Sequence, residues 1–283
     1  MPNTDIDSLQ IRRDADRPRV RIIGDHSAYH CGSAAAFEAI LASCRKFGHI
    51  TPNEDSYEIL VVNGEGSMHH DSTSFRKKMA EIRRAIDTGK KVYLVNTVWQ
   101  ENPSEHADLL RRCERVTVRE SMSQAELAAI GVVSDVCIDQ SFFLDVAAEG
   151  PMHDFGGTTV LTDFYSRDLA TFARITTQWT RTVPYVQMHE WDWSTLVRSL
   201  RTAGVLFTGR HHAVYAACRA RTPFIALKGN THKIEGLIAT SGVDIPVFDS
   251  YPEALRALRS EAWRTYDYAA LFGWMERQEP WRP

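Results

Sequence analysis

Apolar residues along the chain fall into two rhythms. Short blocks rich in Val, Ile and Leu, at residues 19–24, 57–62, 91–95, 115–118 and 135–138, predict buried strands, because brief aliphatic runs bounded by turn formers fit a sheet covered on both faces. Between them apolar positions recur every three or four residues: Ala36, Phe37, Ile40 and Leu41 within 33–47, and Met79, Ile82 and Ile86 within 75–86. That spacing predicts helices, as do the segments 104–113 and 123–130. Strands separated by helices of about 10 to 15 residues predict a parallel sheet.

The pattern breaks at residues 147–157, where Gly150, Pro151, Gly156 and Gly157 gather, and then restarts. Strands are expected at 158–162, 183–188, 204–207 and 223–227, and helices at 169–179, 193–203 and from His211 onward. The fold class is therefore α/β, with two Rossmann-like domains at 1–150 and 151–283 facing across a cleft. The tail carries Trp263, Tyr266, Tyr268, Phe272 and Trp274, too apolar for a free end, and is expected to pack back across the junction.

With 283 residues and 43% apolar composition the chain has material for two cores. The net charge of −3 is intermixed, and the one cationic run, Arg12, Arg13, Arg17 and Arg19, overlaps an N-terminus expected to fray over residues 1–18. Nucleic acid is excluded as an expected partner. No apolar run reaches the ~18 residues of a membrane span and no leader pattern opens the chain. The expectation is a cytoplasmic protein, with peripheral contact to the inner membrane face still open. Cys31, Cys44, Cys113, Cys137 and Cys218 lack paired spacing and read as reduced thiols.

Candidate chemistry concentrates at strand ends. Arg210, His211 and His212 close the apolar run Val205, Leu206, Phe207 and open a small-residue helix, so a guanidinium, two imidazoles and free helix N–H groups meet where doubly wound sheets bind ligands. Arg119 ends a strand in the first half, and two arginines suit a small dianion; a helix start capped by Ser121 or Ser123 is the alternative reading of that stretch. Lys233 follows the strand at 223–227 and either reaches a phosphate or stands solvated. The turn Asn63, Gly64, Glu65, Gly66, Ser67 allows close backbone approach to a ligand. Glu65 or His69 is a candidate base toward an acceptor hydroxyl. His69, His70 and Asp71 invite a metal reading, but adjacent side chains of an extended segment diverge and the three converge only if the chain turns sharply, so no metal is expected there. Asp139, also at a strand end, caps, orients an arginine or turns the chain, and Trp99, Trp191 and Trp193 stack on a sugar or pack the core.

The order strand, Arg210-x-His212, helix, Pro223-led strand, polar loop and Lys233-Ile234-Glu235-Gly236-Leu237 resembles the polysaccharide pyruvyl transferase family. Arg119-Glu120-x-x-Ser123, Asp139 before an apolar patch and the Gly64 to Ser67 turn extend the resemblance over residues 19–237. One departure stands out: many members carry Asn-x-Gly-Asp after the first strand, where this chain has His30, Cys31, Gly32 and Ser33, and only Gly32 matches. The resemblance implies a GT-B-like fold and transfer of a pyruvyl group from phosphoenolpyruvate to a saccharide, lipid-linked or free, as a ketal in exopolysaccharide, capsule or cell-wall glycan synthesis. It implies His212 as general acid, with Arg119, Arg210, His211 and Lys233 on the donor. Gly64, Glu65, Gly66, Ser67, His69 and Asp139 are candidates for the acceptor side. No metal and no cofactor beyond the co-substrate are expected. A GT-B glycosyltransferase using a nucleotide sugar, with Glu235 the near candidate for a ribose contact, is the alternative; a glycan-binding module without catalysis is a further one.

Overall fold

The computed structural model of the chain describes residues 17–164 and 182–283, so the expected helix at 169–179 and nearly all of the frayed N-terminus lie outside the described residues. The first half holds β1 (Arg19–Ile23), β2 (His49–Ile50), β3 (Ile59–Glu65), β4 (Lys91–Thr97), β5 (Arg115–Val118) and β6 (Asp135–Val136). They form one sheet in the order β2-β1-β3-β4-β5-β6, every pair parallel. The second half holds β7 (Thr159–Phe164), β8 (Tyr185–Val186), β9 (Val205–Gly209), β10 (Phe224–Leu227) and β11 (Val247–Phe248), in the order β11-β10-β9-β7-β8 and again parallel. The chain is thus two Rossmann-like domains in a GT-B-like arrangement. Strand order reverses between β1 and β3 and between β7 and β9, and loops leaving such points diverge to open a crevice.

The described helices are α1 (Cys31–Phe47), α2 (Thr73–Asp87), α3 (Ala107–Leu110), α4 (Ser121–Ala129), α5 (Trp193–Leu200), α6 (His211–Ala220), α7 (Lys233–Ser241), α8 (Tyr251–Arg259) and α9 (Tyr268–Glu276). The expected helix at 104–113 is a 3-10 turn followed by the four residues of α3. Its apolar positions, Ala107, Leu109 and Leu110, are buried, while Arg111 and Arg112 turn to solvent and end it. β3 runs on through Gly64 and Glu65, and every residue of it is buried.

The halves share apolar packing. Cys31 and Ala35 of α1, with Ile138 and Phe142, join the cluster built by Leu196, Val214, Ala217 and Leu237 of the second half. Gly32 permits this approach, because a methyl there would lie 2.3 Å from His212 Cβ. At the far end Trp281 is buried among Val20, Ile40, Cys44 and Ile59, and its backbone N–H donates to Gln140 Oε1 at 2.9 Å. The stretch between the sheets is tied to α5 and the turn after it: His153 N–H donates to Ser199 Oγ (2.8 Å), Phe155 N–H to Thr202 Oγ1 (2.9 Å) and Gly157 N–H to Thr202 O (2.7 Å).

Candidate active site

Loops at the carboxyl ends of both sheets enclose a cavity of about 320 Å³. The segment after β1 contributes His26, Tyr29 and His30; the end of β3 and the turn beyond it, Glu65, Gly66 and Ser67; the end of β5, Arg119. From the second half come Gly209, Arg210, His211 and His212 after β9, and Asn230 and Lys233 after β10.

Beneath this cavity lies Asp139, 0% exposed. Its Oδ2 pairs with Arg119 Nη1 and lies 3.6 Å from His211 Nε2 and 3.3 Å from His212 Nε2. Its Oδ1 accepts from Ser141 N–H at 2.9 Å, and its own N–H donates to Tyr215 Oη at 3.2 Å. Burial alone would raise this carboxyl, but His212 and Arg119 outweigh it and hold Asp139 well below the ordinary value. Burial, with the charge of Arg119, pushes His211 well below its ordinary value, so that ring stays neutral. A buried carboxylate facing the Nε2 edges of both rings fixes their orientation and stabilises a positive charge formed on His212.

Arg119 is 1% exposed, and its Nε and Nη2 have no hydrogen-bond partner among the described residues. A methyl placed on Gly66 would lie 3.6 Å from Lys233 Nζ and 3.9 Å from Arg119 Nη2. The space over Gly66 is therefore flanked by a cation from each half. Burial, then Arg119, brings the Lys233 ammonium down to about 7, and its Nζ donates to Asn230 Oδ1 at 2.9 Å. Arg210 donates to Tyr29 Oη at 2.8 Å and lies over the Tyr29 ring at 5.5 Å. His30 caps α1, its Nδ1 accepting from Ser33 N–H at 3.1 Å; burial, then His212 and Arg210, push it down to about 2.

Arg119, Arg210, His211, His212 and Lys233 thus converge on one cavity, whereas the acceptor-side set divides. Asp139 has no exposed surface and underlies the histidines and Arg119, so it orients them and does not touch an acceptor. Gly64 packs the turn onto β4, since a methyl there would meet Thr97 Oγ1 at 2.1 Å. Gly66 sits with the donor-side cations. His69 does not line the cavity: its Nδ1 lies 2.8 Å from His70 Nδ1, and burial, then Lys233, lower it to about 4. His70 and Asp71 take φ of 52° and 46°, the sharp turn that lets adjacent imidazoles meet, and the His69 and His70 rings lie edge to face. Asp71 pairs with Arg76. Glu65 and Ser67 do line the cavity. Trp99 and Trp193 are core residues, and Trp191 stacks on Phe155. At the start of α4 the cap is Glu120, which also receives His232 across the junction.

Lys78 escaped the sequence reading. Its Nζ donates to Asn63 O (2.6 Å), Gly64 O (3.0 Å) and Ser67 Oγ (2.6 Å) and lies 3.0 Å from His26 Nε2, and burial lowers it to about 8. A signal existed, since Phe75, Lys78 and Ile82 share one face of α2 at helical spacing.

No family model matches the chain, and no curated protein matches it in sequence. Solved structures match it in fold. A functionally uncharacterized protein from Klebsiella pneumoniae is 16% identical, over 89% of this chain and 98% of that one, with a TM-score of 0.55. A putative UDP-N-acetylglucosamine 2-epimerase from Listeria monocytogenes is 10% identical, over 93% and 92%, with a TM-score of 0.60. At these identities the likeness is one of fold: two Rossmann-like domains with the cleft between them. Among the described residues no helix is long and apolar enough to cross a membrane.

Proposed function

We propose that the chain is a pyruvyl transferase of the polysaccharide type, moving the pyruvyl group of phosphoenolpyruvate onto two hydroxyls of a saccharide and releasing phosphate. The observation that carries this reading is the unpartnered edge of Arg119 facing Lys233 across Gly66, in a cavity that Arg210 and His212 also line. A donor with a phosphate and a carboxylate a few bonds apart needs such a cluster. At about 320 Å³ the cavity lies at the small end of the roughly 300–1,000 Å³ typical of ligand pockets.

In this reading His212 protonates the methylene carbon of the donor as the first hydroxyl oxygen bonds to C2. The C2–O bond to phosphate then breaks, phosphate leaves with the electron pair, and the second hydroxyl oxygen bonds to C2. Of the two hydroxyl protons, one replaces the proton given by His212 and the other departs on phosphate. Asp139 supports the imidazolium before transfer. The product adds a carboxylate to an exopolysaccharide, capsule or cell-wall glycan, and the acceptor is lipid-linked or free.

The fold favours a second reading, a nucleotide-sugar enzyme, since the Listeria protein of similar architecture is described as a putative UDP-N-acetylglucosamine 2-epimerase. Against it, Glu235, the near candidate for a ribose contact, does not line the cavity. Phosphate release from phosphoenolpyruvate, measured against a panel of glycosides and nucleotide- or lipid-linked sugars, tests the first reading. Thermal stabilisation by UDP with no response to phosphoenolpyruvate would replace it with the second, and stabilisation by oligosaccharide alone would point to a binding module.

A further inference from the structure

The carboxylate of Glu65 stands apart from the cations around it. It ends β3, beside the reversal of strand order, and is only 6% exposed. Its Oε1 accepts from Ser33 Oγ at 2.6 Å, while Oε2 has no partner among the described residues. The backbone holds Glu65 at φ 41°, a left-handed conformation costly for a residue with a side chain, although Gly66 is next in the chain. Strain kept at a cavity wall serves to hold a side chain in place.

Ser33 is fully buried in the first turn of α1, and its neighbour Gly32 packs on the His212 side chain. One helical turn therefore sets the position of Glu65 on one side and of His212 on the other. Several acceptors nearby are engaged, His30 Nδ1 by Ser33 N–H and Asn230 Oδ1 by Lys233, and His26 Nε2 lies 3.0 Å from Lys78 Nζ; His211 Nδ1, like Glu65 Oε2, has no partner among the described residues, but it belongs to a ring already turned onto Asp139. Both oxygens of Asp139 are taken as well.

We propose that Glu65 is the base that takes the proton of the attacking acceptor hydroxyl, and that Ser33 is the residue that positions it. The proposal rests on the reading that the acceptor is a saccharide hydroxyl. In the first step the O–H bond breaks toward Glu65 Oε2, the hydroxyl oxygen bonds to C2 of the donor, and the C2=C3 electron pair takes the proton that His212 gives. Glu65 thus gains one proton as His212 loses one. In the second step the proton of the other hydroxyl leaves with phosphate, and the Glu65 proton returns to His212 through solvent as product departs.

The test uses the full chain, phosphoenolpyruvate and whichever methyl glycoside of the panel gives the fastest phosphate release. Glu65→Gln should lower kcat by about 100-fold or more while stabilisation by phosphoenolpyruvate stays within threefold in apparent Kd, because a base acts on the acceptor and not on the donor. Ser33→Ala should lower kcat by about tenfold while the phosphoenolpyruvate KM stays within threefold, and Ser33→Thr, which keeps the hydroxyl that Glu65 Oε1 accepts from, should restore most of it. A Glu65→Gln enzyme within threefold of wild-type kcat overturns the proposal. So does tenfold tighter phosphoenolpyruvate binding in that variant, which would put Glu65 against the donor, or a Ser33→Thr enzyme no faster than Ser33→Ala. Wild-type protein that neither binds nor turns over phosphoenolpyruvate would instead remove the donor reading on which the proposal rests.

Discussion

Gly32→Ala probes whether His212 must sit where α1 places it. The added methyl would lie 2.3 Å from His212 Cβ and 2.6 Å from its Cγ. Carbon atoms in contact prefer about 3.5–4.0 Å, so the ring or the helix must retreat by about 1.5 Å. Gly32 is not at positive φ, and alanine gains about 1 kcal/mol of helix propensity there, against about 1–3 kcal/mol for forcing a methyl into a packed contact. The net loss of stability, about 0–2 kcal/mol, leaves the protein folded. Catalysis should suffer far more, because a displacement of about 1 Å at a reacting group costs on the order of 100-fold. The assay is steady-state phosphate release from phosphoenolpyruvate beside a thermal melt, with donor stabilisation as the control for binding. A Gly32→Ala enzyme with kcat within threefold of wild type would show that the position of His212 against α1 is irrelevant to turnover.

His212→Ala should abolish turnover yet keep donor binding, with His211→Ala milder; near-wild-type turnover in a folded His212→Ala protein would sink the acid assignment. Gly66→Ala should leave the melting temperature within about 2 °C, since the methyl meets only ordinary contacts at 3.6 and 3.9 Å, but should raise the donor KM about tenfold by occupying the space between Lys233 and Arg119; an unchanged KM would empty that space of meaning. Donor affinity should fall as pH rises through about 7, where the Lys233 ammonium loses its proton, and Lys233→Met should flatten that dependence and bind weakly at all pH values. Isothermal titration across pH 6 to 8 checks it, and a slope unchanged in Lys233→Met would remove Lys233 from the donor site. Arg210→Lys should raise donor KM, since an ammonium cannot hold Tyr29 and a planar anion together; kinetics indistinguishable from wild type would make Arg210 structural.

Strands with continuous aliphatic runs were legible in the sequence: β5 spans the expected 115–118, and β1, β4 and β10 differ from expectation by one or two residues. Burial on both faces writes itself into composition. The two-residue strands β2 and β11 carried no such mark: His49 and Ile50 are exposed, and a pair of residues has no period to read. The Gly-rich stretch at 147–157 shows by composition only that the pattern breaks; its backbone is hydrogen-bonded to α5 and the turn after it, and α1 shares apolar packing with the second half. Glycines report what a backbone is able to do, and contacts decide what it does.

The same division runs through the site. The sequence by itself determined two parallel α/β halves and the cationic strand ends Arg119, Arg210 and His212, because burial patterns and strand-to-helix turns are local and the carboxyl end of a buried strand has one side on which to present a ligand group. The tertiary structure alone decided that Asp139 lies under both histidines, that Lys78 is buried beneath the Gly64 to Ser67 turn, and that Ser33 holds Glu65. Each of these joins side chains from elements far apart in the chain. A charged residue in sequence reads as a solvated one, and only the packing of a second element over it, supplying carbonyls, a counter-charge or a hydroxyl, makes its burial affordable and its direction known.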